Sequence, residues 1–358
     1  MLYKLVFIGF STAILMASVV TAGVVTIDVV PVGNPGNAGE WAGEDHGGDG
    51  PNRVCGAVDR TYWIGKYEVT AGQYTEFLNA KATIGNPYGL YNASMWSASS
   101  GCKISCSGSG TVLDPYVYGV ADDYANRPVN YVSFWDAARF TNWLNNGQGD
   151  GDTETGAYTL NGYNDTDGHN ISRNTGATWF LPSEDEWYKA AYHKNDGVTG
   201  NYWDYPTGVD MPTTPGRDMS ESTNSGNNAN YLGSPYPINS PYYTTLVGEF
   251  QLSDSPYGTF DQGGNVWEWN QDVVVIGGTT AARGMRGGLF GLDSYYMTAA
   301  DRGYCRPIGE TDGYGFRVAS SVPEPDGLTL ILFGVVATLA YLGQRRGRTA
   351  RITGRLVF

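Results

Sequence analysis

The clearest alternation of apolar and polar positions lies in Asp261–Trp269, where a glycine-containing turn leads into an extended run. Successive side chains of a strand point to opposite faces, so Trp267 and Trp269 are predicted to share one face. Val266 and Glu268 would lie on the other face. Two tryptophans on one face would form a large apolar anchor for the surrounding chain.

This turn has two interpretations. Composition alone favours a glycine hairpin that seats two core tryptophans and leaves Glu268 in solvent. The alternative treats Asp261 and Glu268 as two carboxylates beside a turn rich in backbone carbonyls. Calcium takes an all-oxygen shell of that kind.

Three helices are predicted, each started by a hydroxyl side chain. The three N-cap residues are Thr70, Ser133 and Ser183. Gln73 and Glu186 complete capping boxes at the first and third of these helices. The first helix follows a strand predicted over 61–69 and ends near Ala80. The acidic residues 184–186 suit the positive end of a helix dipole, an interpretation that we prefer to catalytic carboxylates.

Long loops separate these elements, because 81–126, 148–176 and 195–247 show no reliable periodicity. Later strands are predicted at Met285–Phe290 and Gly313–Ala319. The chain has 358 residues, 50 glycines and 26 tyrosines, and only 16% of its residues are charged. This composition predicts a loop-rich fold with an aromatic core. The formal net charge of −14 argues against a nucleic-acid partner, which needs basic patches.

Both ends of the chain carry targeting patterns. Residues 1–22 are predicted to be a signal peptide, with Lys4 before an apolar run and cleavage after Ala22. A retained anchor helix is the alternative.

At the other end, Val322-Pro323-Glu324-Pro325 precedes an apolar run and an arginine cluster. Residues 321–348 resemble a PEP-CTERM sorting signal of Gram-negative bacteria. That resemblance implies exosortase-type processing, transient membrane contact through the short apolar helix, and delivery to the cell surface or matrix, with 349–358 as a tail. An ordinary tail anchor is the alternative.

Four cysteines fit an exported protein, since disulfides persist in oxidising compartments. They are Cys55, Cys102, Cys106 and Cys305. Four cysteines allow three pairings, and the sequence does not choose among them. One option closes a small ring between Cys102 and Cys106 and joins Cys55 to Cys305.

Several short motifs occur in an order that resembles the formylglycine-generating enzyme family, also called the sulfatase-modifying factor domain. They are Gly65-Lys66-Tyr67-Glu68-Val69-Thr70, Arg127-Pro128-Val129, Trp135-Asp136-Ala137, Leu181-Pro182-Ser183-Glu184, Gly264-Asn265-Val266-Trp267-Glu268-Trp269, Arg286-Gly287-Gly288 and Gly315-Phe316-Arg317. The resemblance implies one α+β domain over 60–320, with 23–59 as a preceding loop and strand region. Its implied fold is C-type-lectin-like, irregular, with about three helices and a twisted antiparallel sheet.

The resemblance also implies a cation beneath the Gly-Asn-Val-Trp-Glu-Trp turn. The implied calcium ligands are the side chains of Asp261 and Glu268 and the carbonyls of Gly264 and Val266. A second cation of the family is held by an Asn and a later Asp. Asn230 is a candidate for the Asn, but no Asp lies between residues 231 and 247.

The copper chemistry of the family is not expected here. Family oxidases hold Cu(I) with two cysteines, on the fourth and ninth residues after the Gly-Gly pair, and soft thiolates suit that metal. These positions are Leu292 and Met297 in this chain, and Leu289 replaces the serine that follows Gly-Gly. A related branch binds non-haem iron through histidines. The three histidines here are scattered and predicted to be structural: His46, His169 and His193.

Three functions remain open. The first is an exported, surface-associated binding module that recognises a glycan, peptide or protein through a variable face within 289–308. Its candidate contact residues are Tyr295, Tyr296, Arg302, Tyr304 and Arg306, of types common at interfaces; internal packing of the tyrosines is the alternative. The second is an oxidase, or a non-haem iron relative, with a rebuilt active site. The third is a structural protein of the matrix.

Overall fold

The computed structural model describes residues 23–220, 226–233, 236–276, 278 and 280–321. Its α-helices are α1 (Ala71–Lys81), α2 (Ser94–Ser97), α3 (Phe134–Asn145) and α4 (Glu184–Tyr192). Its strands are β1 (Val29–Val32), β2 (Glu40–Ala42), β3 (Arg53–Cys55), β4 (Tyr62–Gly65), β5 (Ile104–Ser107), β6 (Val117–Val120), β7 (Trp179–Phe180), β8 (Trp267–Ile276), β9 (Thr280–Arg286), β10 (Gly303–Cys305), β11 (Tyr314–Gly315) and β12 (Ala319–Ser321).

The predicted signal peptide lies outside the described residues, as do the sorting signal and tail from residue 322 onward. Within the described part, no helix combines the length and apolar character that a bilayer crossing requires.

The three predicted helices are confirmed, together with their N-caps. Thr70 accepts a hydrogen bond from the Gln73 amide at 3.2 Å, and the Gln73 side chain accepts one from the Thr70 amide at 2.9 Å. The same reciprocal capping box forms at the start of α3 and of α4. These hydrogen bonds satisfy amides that have no partner within the helix, so local sequence fixed where each helix starts.

Two four-stranded sheets organise the fold. The first has the order β1-β4-β12-β7, and the second has the order β10-β9-β8-β11. All pairs are antiparallel except β11 with β8, which is a short parallel pair. Because β1 pairs with β4, the region 23–59 contributes a strand to the first sheet. The loop predicted over 81–126 contains α2 and the β5–β6 hairpin, which carried no recognisable sequence period.

Both faces of the tryptophan strand are covered. Trp267 and Trp269 are buried as predicted, and the Trp269 indole donates to the Val132 carbonyl at 3.0 Å. Glu268, on the opposite face, is also fully buried. The interpretation of Glu268 as a solvated residue is therefore wrong, because Trp187 on α4 and Arg317, just after β11, cover that face.

All four cysteines are free thiols in the structure. The Cys102 sulfur lies 3.8 Å from the Asn130 carbonyl oxygen, whereas Cys106 pairs across the hairpin with Tyr118. Cys55 is buried, with its sulfur 3.3 Å from an Arg286 nitrogen. The pairings considered from the sequence are therefore not formed in the structure.

Candidate functional site

A buried ion pair lies behind the tryptophan strand. Arg317 donates to the two carboxylate oxygens of Glu268 at 2.5 and 2.6 Å, and both side chains are fully buried. The Trp187 indole donates to the same carboxylate at 2.6 Å. The remaining Arg317 donors reach the carbonyls of Gly65 at 2.9 Å and Phe260 at 2.8 Å. The pair thus ties β8 to β4 and to the turn that precedes the strand.

Two further carboxylates lie beside this ion pair: Glu68 is buried, and Asp261 is half-buried. Asp261 accepts from the Gly248 amide at 2.6 Å, and burial raises the pKa of Asp261 to about 7. Glu68 accepts from the Asn265 side chain at 3.1 Å, but its other oxygen has no partner. Burial, followed by the charges of Asp261 and Glu268, raises the pKa of Glu68 well above its usual range. Three carboxylates therefore share the one guanidinium of Arg317.

The oxygen atoms available to bind a cation near this ion pair differ from those predicted from the sequence. Glu268, predicted as a ligand, already accepts hydrogen bonds on both oxygens. Glu68 has a buried oxygen without a partner, and so does the side chain of Asn230. Asn265 links these two residues, because its oxygen accepts from the Asn230 amide at 3.1 Å. Asp261, Glu68 and Asn230 therefore fit a hard cation better than Glu268 does.

The other two predicted calcium ligands lie in the adjoining backbone. Gly264 has a φ of 83°, and a Cβ on it would come within 2.2 Å of the Asn230 carbonyl oxygen. Val266 is fully buried. No group of three or more His, Cys, Asp or Glu side chains suited to a metal occurs in the described part of the chain. A cation at this place would therefore also need amide and backbone oxygens.

The positions of the missing copper ligands are packed. Met297 is fully buried in an apolar cluster with Tyr205, Ala229 and Tyr231. The Tyr192 hydroxyl donates to the Met297 carbonyl at 3.1 Å. Leu292 is partly buried against the main core. This region is thus filled by side chains of the protein itself.

The acidic first turn of α4 is an ion-pair centre. Glu184 lies 2.8 Å from Arg286, 2.7 Å from Arg302 and 2.8 Å from Arg53. Burial alone would raise the pKa of Glu184, but these arginines hold it well below its usual range. Interaction with the helix dipole is therefore only part of the reason for acids at 184–186.

The predicted ligand face is only partly exposed. Tyr295 and Tyr304 are 39% and 43% exposed, and Arg306 is also exposed. Tyr296 is half-buried, and its ring lies 6.3 Å from that of Trp267. Arg302 must be removed from this face, because it is buried and paired with Glu184 at 2.7 Å.

Sequence analysis missed part of the surface beside Tyr295. The loop after β2 docks there, with the Gly43 amide donating to the Ala300 carbonyl at 2.9 Å. The Tyr295 hydroxyl lies 3.4 Å from an Asp49 oxygen. Trp41 in β2 is 57% exposed, and its ring stacks on that of His46 in this loop with the ring centroids 5.3 Å apart. No periodicity marked this loop, because its contacts are with residues about 250 positions away.

The three histidines lie on separate parts of the chain. His46 stacks on Trp41, and His169 stacks on Tyr163. His193 ends α4, and its Nδ1 lies 2.9 Å from the Tyr257 hydroxyl. Burial lowers the pKa of His193, so this residue favours its neutral form.

The fold is an irregular α+β domain of the C-type-lectin-like type, as the sequence predicted. The model of the sulfatase-modifying factor enzyme 1-like domain matches residues 26–322, and the chain belongs to that family.

Similar solved structures agree on the fold. CarF is 21% identical with a TM-score of 0.51, and the match covers 83% of this chain and 99% of CarF. Variable protein 1 of Treponema denticola is 20% identical with a TM-score of 0.51, covering 84% of this chain and 98% of that protein. No curated protein sequence matches this chain significantly.

Removing the countercharge of Glu268 tests the importance of the buried pair. Arg317→Met is expected to lower the free energy of unfolding by about 3–5 kcal/mol, because it leaves the buried Glu268 carboxylate without its countercharge and with only the Trp187 indole as a hydrogen-bond donor. Urea denaturation followed by tryptophan fluorescence measures the change. The double variant Arg317→Met/Glu268→Gln is the matched control and should recover part of the loss. Equal stability of Arg317→Met and the unchanged protein would contradict this account.

Proposed function

We propose that this protein is an exported, surface-associated binding module and that it does not perform the copper oxidase chemistry of its family. The observation that carries the proposal is the packing of Met297. The Met297 thioether and the Leu292 side chain occupy the positions where the family oxidases have two cysteine thiolates. These two side chains are poorer Cu(I) ligands than a pair of thiolates. Met297 is also fully buried against Tyr205, Ala229 and Tyr231.

The proposed ligand surface joins the loop after β2 to the segment that follows β9. Its exposed aromatic residues are Trp41, Tyr295 and Tyr304. Asp49 contacts Tyr295 beneath this surface, and Arg306 adds a positive charge nearby. Large aromatic side chains with few rotatable bonds make effective contact residues for a glycan, peptide or protein.

Substitution of the aromatic residues tests the surface. Trp41→Ala and Tyr295→Ala are each expected to weaken binding about tenfold or more. A tenfold loss corresponds to about 1.4 kcal/mol of binding free energy, as for an important interface residue. Glycan and peptide arrays identify a ligand, and titration with each variant measures its affinity. Trp96→Ala is the control, because Trp96 on α2 is also exposed, at 51%.

Two outcomes would contradict the proposed function. One is a ligand whose affinity is unchanged in Trp41→Ala and Tyr295→Ala but falls in Trp96→Ala. The other is stoichiometric Cu(I) binding together with aldehyde formation on a cysteine-containing sulfatase peptide. The second result would favour the alternative, an oxidase with a rebuilt site.

We also propose that the two terminal patterns direct the protein to the cell envelope, with exosortase-type machinery acting at the C-terminal signal. One contact at the start of the described chain supports cleavage after Ala22. The Gly23 backbone nitrogen donates to the Glu76 carboxylate on α1. Cleavage at that bond would turn this amide into an ammonium group beside an acid.

Mass spectrometry of protein from a Gram-negative host that contains an exosortase tests the export proposal. The mature N-terminus is expected at Gly23, and the C-terminal arginine cluster is expected to be removed. Deletion of residues 322–358 should release the protein into the medium, whereas the full chain should stay with the cell surface. Retention of residues 1–22 in the cytoplasmic fraction would contradict the proposal.

A calcium ion near the turn before β8 is the third part of the proposal. When bound, calcium supplies positive charge that Arg317 alone does not provide for the carboxylates of Glu68, Asp261 and Glu268. Glu68, Asp261 and Asn230 are its proposed side-chain ligands, with backbone oxygens of the Gly264–Val266 turn. The partnerless oxygens of Glu68 and Asn230 support this assignment.

Stability measured against pH tests the calcium site. Folded Asp261 has a pKa of about 7, above the value of about 4 for an unfolded chain. The folded state therefore binds the proton more tightly, and the stability contributed by this group is lost as pH rises from about 4 to about 7. Calcium would offset that loss. At pH 8, saturating calcium is expected to raise the Tm by roughly 5 °C over chelator, and at pH 5 by less.

The matched variants are Asp261→Asn and Asp254→Asn, measured by thermal denaturation. Asp261→Asn should lose the effect of calcium, whereas Asp254→Asn changes an acid that is not among the proposed ligands. A Tm at pH 8 that is the same in calcium and in chelator would remove the site.

A further inference from the structure

We propose that a cavity beside α3 binds a neutral saccharide. The cavity has a volume of about 370 Å³, and its lining includes Asn161, Tyr163, His169, Asn170, Ser172 and Asn174. Ligand pockets in proteins have volumes of about 300–1,000 Å³. None of these residues belongs to the surface around Trp41 and Tyr295, so the cavity is a second site that goes beyond the proposed function.

Stacked rings form one wall of the cavity. The rings of Tyr163 and His169 are 3.8 Å apart and inclined by 18°. Trp135 on α3 packs against both, with ring distances of 6.2 and 6.1 Å. The wall is therefore a fixed aromatic slab, the kind of surface on which the C–H face of a pyranose ring lies.

Amide and hydroxyl groups at the cavity are available to a ligand. The side chains of Asn161, Asn170 and Ser172 line the cavity, are exposed, and form no hydrogen bond with any residue that the structure describes. Asn amides offer both donors and acceptors, and so does a serine hydroxyl. This mixture matches vicinal hydroxyl groups, which also donate and accept.

The charges around the cavity favour a neutral ligand. Among the described residues that line it, none is Lys, Arg, Asp or Glu. Two acids contact His169: an Asp165 oxygen lies 3.0 Å from its Nε2, and Asp167 accepts from its backbone amide at 2.9 Å. A phosphate or carboxylate would find no fixed cation there, and the net charge of −14 on the chain would repel it.

A buried arginine holds the cavity wall in place. Arg283 on β9 is fully buried and donates to the carbonyls of Gly168 at 3.0 Å, His169 at 3.1 Å and Ile171 at 3.2 Å. Its guanidinium also lies 4.2 Å from the centre of the Phe134 ring. These bonds fix the backbone on both sides of His169, so the polar groups of this loop are held in place before a ligand arrives.

The backbone of the loop is strained at the cavity. His169 has a φ of 45° and Asn161 a φ of 53°, and both are in the left-handed region. Such conformations cost about 1–3 kcal/mol each and persist where the surrounding structure enforces them, often at ligand sites. The strain, the clamp from Arg283 and the unpaired polar groups all lie at the same cavity.

Saturation-transfer NMR on the full chain tests this inference. The probes are glucose, galactose, mannose and N-acetylglucosamine, with glucuronate as the charged comparison. At least one neutral sugar is expected to receive saturation. Asn170→Ala and Ser172→Ala should each weaken its affinity about fivefold, as for loss of one hydrogen bond. Neither side chain supports the fold, so both variants should keep the Tm of the unchanged protein.

Two controls separate this site from the proposed ligand surface. Ser99→Ala, at an exposed serine just after α2, should leave sugar binding unchanged. Trp41→Ala should also leave it unchanged, even if that variant loses an array ligand. Absence of saturation for every neutral sugar would overturn the inference. Tighter binding of glucuronate, or a loss confined to Trp41→Ala, would overturn it as well.

Discussion

Buried arginine side chains hold the irregular part of this chain together. Long loops leave many carbonyl oxygens without a helix or sheet partner, and each one buried without a hydrogen bond costs about 1–3 kcal/mol. A guanidinium offers five donors in a rigid plane. Arg317 donates hydrogen bonds to carbonyls on two segments, and Arg286 donates to the carbonyls of Ala299 and Asp301. Loops far apart in sequence are thereby fixed to one another.

The arginines differ in how their charge is balanced, and this difference shapes the candidate sites. Glu184 gathers three arginines and remains ionised. Around Arg317 the balance is reversed, because Glu68 and Asp261 add carboxylates that the one guanidinium does not neutralise. Arg283 forms no ion pair in the described part of the chain, and its N–H groups donate hydrogen bonds to loop carbonyls. The same residue type thus supports a core, an acidic cluster and a cavity wall.

Family membership defines the scaffold, whereas the chemistry has to be judged residue by residue. The match over residues 26–322 covers both sheets and all four helices. Within that scaffold, Met297, at a position that the family resemblance assigns to a copper ligand, is buried in an apolar cluster. A cavity lies elsewhere, beside Tyr163, and Trp41 is exposed on another part of the surface. A conserved fold therefore does not fix where this protein meets a ligand.

The sequence by itself determined the starts of three helices and the burial of both strand tryptophans. Each of these depends on residue identity or on contacts within a few positions, which can be read along the chain. Only the tertiary structure decided that Glu268 pairs with Arg317, 49 positions away, and that Arg302 is buried against Glu184, 118 positions away. Charged side chains look alike in a sequence whether they face solvent or a buried partner, because that partner is chosen by how the loops are folded together.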